Sequence, residues 1–126
     1  MTESSDRAAR AAISARRKHL APDTHDAFEA FSRQVFAAGA LDATTKQIIA
    51  VAVAHVTQCP YCITSHTRAA LRAGATEAQL MEAIWVAAEM RAGGAYAHCT
   101  LALETAQTAE QRAGEPSAPR DAPESD

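Results

Sequence analysis

The segment Cys59-Pro60-Tyr61-Cys62-Ile63-Thr64-Ser65-His66 gathers two thiols and an imidazole into eight residues. With Pro60 in the first turn of a helix, Cys59, Cys62 and His66 stand at i, i+3 and i+7, on one face over two turns. The unsatisfied N–H groups and positive dipole end of such a terminus favour a thiolate, the reactive form of cysteine. His66 follows Cys62 by one turn, so it can take the thiol proton or return one to a leaving oxygen. Two thiols at this spacing can also close a disulfide, which points to dithiol redox chemistry. Zinc is the competing use of the same side chains. Cys59, Cys62 and His66 would need His98 or Cys99 as a fourth ligand, and no second CxxC or HxxxH is present, so neither metal nor cofactor is expected. Cys99 by itself reads as a small core residue. His55, four residues before Cys59, either faces the site or merely ends its helix favourably. His19 and His25 read as solvent residues.

The elements that must carry this segment are helical. From Asp23 to Glu115 the only proline is Pro60, and β-branched residues do not alternate in runs bounded by turns. Phe28, Phe31, Val35 and Phe36 mark a short amphipathic helix. Asp42 is placed to cap a helix through Lys46, Ile48, Ile49, Val51, Val53 and Val56. Pro60 opens the next helix and Gly74 closes it, as a left-handed residue after Leu71 and Arg72. Thr76 with Gln79 three residues on matches a capping box before Leu80, Ile84, Trp85 and Ala88. Gly93 and Gly94 either interrupt that helix or permit a close contact, and the pattern resumes from Tyr96 to Glu104. The expectation is an all-α bundle of five or six helices.

The chain has 126 residues, 48% of them hydrophobic and 5% aromatic, which suits one domain. Residues 1–22 read as a helical or flexible arm, 23–108 as the folded domain and 109–126 as a disordered acidic tail. Residues 1–18 sum to +3 and 106–126 to −3. The net charge of −3 gives no basic field for phosphate backbones, so nucleic acid is not an expected partner. No apolar run reaches the roughly 20 residues of a membrane span, and the first residues do not read as an export signal. A cytoplasmic location, a reducing compartment, is therefore expected. The helices around Ile48–Val56 and Leu80–Ala97 are apolar on most sides and need cover on most sides, which predicts a homo-oligomer.

Across Phe28–Glu104 the sequence resembles the carboxymuconolactone decarboxylase superfamily, in particular its alkyl hydroperoxidase D (AhpD)-like branch. The resemblance is carried by Leu41-Asp42-Ala43-Thr44-Thr45-Lys46, Cys59-Pro60-Tyr61-Cys62, His66, Ala73-Gly74-Ala75-Thr76 and Ala88-Glu89-Met90-Arg91-Ala92-Gly93-Gly94. It implies an all-helical unit in trimers or hexamers and a thiol peroxidase or disulfide reductase without metal or haem. Cys62 would then attack the peroxide, Cys59 resolve it and His66 relay the proton. The substrates implied are a small hydroperoxide or a disulfide, with a dithiol protein as reductant and an antioxidant role. The branch carries a glutamate twelve residues before the first cysteine, where this chain has Gln47. An amide can orient an imidazole but takes no proton at neutral pH. Position 47 lies about 18 Å down its helix from Cys59, but an antiparallel next helix would bring it to His66. Glu82 and Glu89 are the candidate replacement acids. Two other readings remain: a lactone or decarboxylation activity, which would not need a thiol pair, and a non-enzymatic zinc or thiol-state sensor.

Overall fold

The computed structural model describes residues 2–116. Six helices follow one another: α1 (Glu3–Leu20), α2 (Pro22–Phe36), α3 (Ala43–Thr57), α4 (Pro60–Arg72), α5 (Glu77–Ala97) and α6 (Cys99–Gly114). With no strand among the described residues, the architecture is the expected all-α bundle.

Local capping sets the ends of the central helices. The Asp42 carboxylate accepts the Thr45 N–H at 2.7 Å and starts α3. Pro60 occupies the first turn of α4, where its missing N–H has no partner to lose. At the other end of α4, Gly74 adopts φ 101°, which frees its N–H for Leu71 O at 3.1 Å and that of Ala75 for Ala70 O at 2.9 Å. This paired arrangement satisfies the last carbonyls of the helix. Thr76 and Gln79 form the reciprocal box that opens α5: the Gln79 N–H donates to Thr76 Oγ1 at 3.1 Å, and the Thr76 N–H to Gln79 Oε1 at 2.9 Å.

Two longer-range hydrogen bonds fix the topology. Thr44 Oγ1, at the start of α3, donates to Ala73 O at the end of α4 (2.8 Å), so these helices are antiparallel. Arg91 of α5 donates to Val56 O near the end of α3 (3.3 Å), so α5 rises beside α3 in the same direction. α3 is the central element and packs on both α4 and α5. The buried residues are Val51, Ala54, Ala70, Ala75, Leu80 and Ala87, with Ile48 and Ile84 packed against them. Alanine dominates this set because only a small side chain lets helix backbones approach closely across a short interface.

The periphery departs from several expectations. Residues 3–20 are a regular helix, but α1, α2 and α6 bury no residue at all. Residues 109–114, expected in the tail, are the last turns of α6, and Glu115 and Pro116 follow it. The rest of that expected tail lies outside the described residues. α5 runs through Gly93 and Gly94 without a break, since glycine weakens a helix but does not prevent one held by packing. Apart from the backbone of its own helix, nothing lies within 4 Å of the place a side chain on Gly94 would take. Cys99 is exposed rather than in the core, because it starts a helix that touches little besides α5.

Candidate active site

The joint between α3 and α4 is two residues, Gln58 in left-handed geometry at φ 56° and the extended Cys59. The left-handed conformation costs a non-glycine residue roughly 1 kcal/mol. In exchange, the Gln58 N–H and the Cys59 N–H, the latter at 3.1 Å, both turn back onto Ala54 O. Arg91 places its cation on the Val56 carbonyl at the same helix end. The chain therefore reverses over Gln58 and Cys59 and delivers Cys59 as the N-cap of α4. Cys59 Sγ accepts the Cys62 N–H at 3.3 Å, and the two cysteines are joined as a disulfide with their Cα atoms 5.3 Å apart. Both residues are half-buried. Sulfur chemistry is thus sited where orphan N–H groups and the helix dipole favour negative charge. Nothing in the residue type of Gln58 announced the left-handed joint.

His66 stands one turn beyond Cys62 on α4 and is also half-buried. Its Nδ1 donates to Gln47 Oε1 of α3 at 2.8 Å. The antiparallel course of α3 and α4 brings position 47 to the imidazole, as its spacing requires. Because the amide oxygen only accepts, Nδ1 carries the proton and Nε2 holds the lone pair in the neutral ring. The sequence reading missed one neighbour: the ring of Phe36, at the end of α2, stacks on His66 with centroids 5.0 Å apart and planes at 29°. Thirty residues separate the pair, and only the path of α2 over α3 joins them.

Other candidates stand apart. His55 Nδ1 donates to Val51 O of its own helix at 2.7 Å, so its hydrogen bond goes to the backbone and not to a cysteine. Glu82 and Glu89 are exposed, and Glu89 lies back along α5, its Oε1 3.5 Å from the position of a side chain on Gly93. Of the apolar residues expected around the thiols, Ile63 is half-buried, but Tyr61 and Trp85 are 87% and 66% exposed. His19 is exposed as expected. His25 is half-buried and bonded to Asp26, whose carboxyl it holds below the usual carboxylate range with help from Lys18. The Thr45 N–H does the same to Asp42. A groove of about 790 Å³ runs between Glu3, Asp6, Arg7 and Arg10 of α1 and Arg68 of α4, and no cysteine lines it. Among the described residues, no group of three or more His, Cys, Asp or Glu is arranged to hold a metal ion. No helix among them is long and apolar enough to cross a membrane.

Helices α2 to α5 with the start of α6 form the part of the chain that matches a known family. The carboxymuconolactone decarboxylase family profile matches residues 22–105, and the chain belongs to that family. α1 precedes the matched region. Over 78 residues the chain is 70% identical to uncharacterized protein 4 in the cox locus of Paracoccus denitrificans, spanning 62% of this chain and 70% of that one. A solved structure from Methanobacterium thermoautotrophicum superposes with a TM-score of 0.63 at 35% identity, over 66% of this chain and 93% of the other. The apo form of a carboxymuconolactone decarboxylase family protein from Legionella pneumophila gives 0.61 at 31% identity, over 64% and 71%.

Proposed function

We propose that the protein is a thiol-dependent alkyl hydroperoxidase or disulfide reductase of the AhpD type, working through Cys62, Cys59 and His66. The observation that carries this reading is the Cys59–Cys62 pair at the N-terminus of α4, one turn before an imidazole whose Nδ1 is engaged by Gln47. In the reduced protein, His66 Nε2 takes the proton of the Cys62 thiol. The thiolate attacks the distal oxygen of a hydroperoxide and the O–O bond breaks. The imidazolium returns its proton to the departing alkoxide, which leaves as the alcohol, and Cys62 becomes a sulfenic acid. The Cys59 sulfur then displaces that hydroxyl, which leaves with the Cys59 proton as water, and the disulfide forms. A dithiol reductant supplies the two electrons and two protons that reopen it. With a disulfide as the electrophile, the same pair acts as a reductase. Such a cycle suits the cytoplasm, where dithiol reductants are maintained, and would serve an antioxidant role.

The reading includes assembly into a trimer or hexamer. A compact monomer of 13.3 kDa exposes roughly 6,500 Å². This chain exposes 10,762 Å², and part of that surface is apolar and lies on the packed helices themselves. Val86, Met90, Tyr96 and Leu101 are among the uncovered side chains.

Intact mass measurement after addition of one equivalent of cumene hydroperoxide to reduced protein tests the cycle. The expected result is loss of two hydrogens, abolished in Cys59→Ser and in Cys62→Ser. Thiols that survive the treatment would refute the assignment.

A further inference from the structure

Two of the three phenylalanines of the chain, Phe28 and Phe31, are about two-thirds exposed and pair with each other at 6.4 Å. The third, Phe36, is half-buried, and its stacking partner is His66. It does not belong to the buried core, so filling that core does not account for its placement. The backbone around it is held by Lys46 of α3. Lys46 Nζ donates to Val35 O at 2.9 Å and to Ala37 O at 2.6 Å, the carbonyls on either side of Phe36. At the end of α2 these groups lack helical partners, and a cation there also meets the negative end of the dipole. Adjacent residues of α3 thereby act on one imidazole: Gln47 in the ring plane through Nδ1, and Lys46 through the residue that covers the ring face.

We propose that Phe36 is a positioning residue for His66 and that Lys46 sets its place. Stacking restrains the imidazole about its Cβ–Cγ bond and covers one face from water. The Nδ1 bond to Gln47 then persists and Nε2 stays the free nitrogen. α2, which buries nothing in the core, acquires a function at its last residue. The consequence for catalytic rate rests on the dithiol reading above, whereas the consequence for the ring does not.

The test combines imidazole nitrogen chemical shifts of His66 in the reduced protein with steady-state turnover of cumene hydroperoxide, using dithiothreitol as reductant. Phe36→Leu keeps apolar volume but loses the flat face, and Lys46→Met keeps the stem but loses the clamp. Each is expected to lower kcat about tenfold with KM unchanged and to turn a single Nδ1–H tautomer into a mixture. Phe36→Tyr and Lys46→Arg are expected to retain both properties. An unaltered tautomer and kcat in Phe36→Leu and Lys46→Met would overturn the proposal. If the unsubstituted protein consumes no hydroperoxide, the peroxidase reading fails and the nitrogen shifts alone decide: one persistent tautomer in Phe36→Leu overturns the positioning role, and a mixture upholds it.

Discussion

α3, α4 and α5 form a unit in which every helix contributes a buried residue, whereas α1, α2 and α6 contribute none. The two regions are equally helical and differ in what surrounds them. In the first, small side chains let α3 approach α4 and α5, and the same closeness brings Gln47 of α3 to His66 of α4. In the second, large apolar side chains such as Ile13 and Phe31 face outward, and neighbours are few. Packing density, not helix content, separates the part able to hold reactive groups in register from the part around it, although α5 of the packed unit also leaves Val86, Met90 and Tyr96 uncovered.

That contrast can be broken by mutation. The largest expected difference is between Val51, 1% exposed in α3, and Ile13, 62% exposed in α1. Val51→Ala should cost about 2 kcal/mol in urea unfolding through its cavity. Ile13→Ala should change stability by less than about 0.5 kcal/mol unless a second copy covers it, so a larger loss would place α1 in an interface. The next effect concerns the register itself. Gln47→Glu sets a carboxylate on His66 Nδ1–H and stabilises the imidazolium formed during proton transfer, so hydroperoxide consumption should rise about tenfold. An unchanged rate would mean that the proton relay is built from other groups.

Smaller effects test the caps that frame the packed unit. Thr76→Ala removes one half of the box at the start of α5 and should lower stability by about 1 kcal/mol, read from the same unfolding curves. Asp42 supplies the smallest and the only pH-dependent change in this series. Its carboxyl is held below the usual range by the Thr45 N–H. Its contribution is therefore fully present above the ordinary carboxylate pKa and is lost as pH falls through the lowered value. Unfolding of the unsubstituted protein compared with Asp42→Asn across acidic pH should show the difference narrowing toward low pH, and parallel curves would contradict this.

Much of the frame was legible before any coordinates because it depends on neighbours three or four residues apart. The Asp42 cap, the place of Pro60, the left-handed Gly74 and the Thr76–Gln79 box are of this kind, and each is found where the sequence places it. The Cys59–Cys62 closeness is equally local. The Gln47–His66 pair was legible only conditionally, since it required α4 to return beside α3. Cys99 and Gly93-Gly94 misled because composition says what a residue prefers and not which side of its helix finds a partner.

The sequence by itself determined where the helices start and stop and that two sulfurs and an imidazole share one short segment, because backbone hydrogen bonding acts over a few residues. Only the tertiary structure decided what touches that imidazole. Phe36 on its face, Gln47 at its Nδ1 and Lys46 behind Phe36 come from two other helices. Their meeting depends on how closely α3 packs on α4 and how α2 crosses it, distances set by the buried alanines and by one lysine holding a helix end.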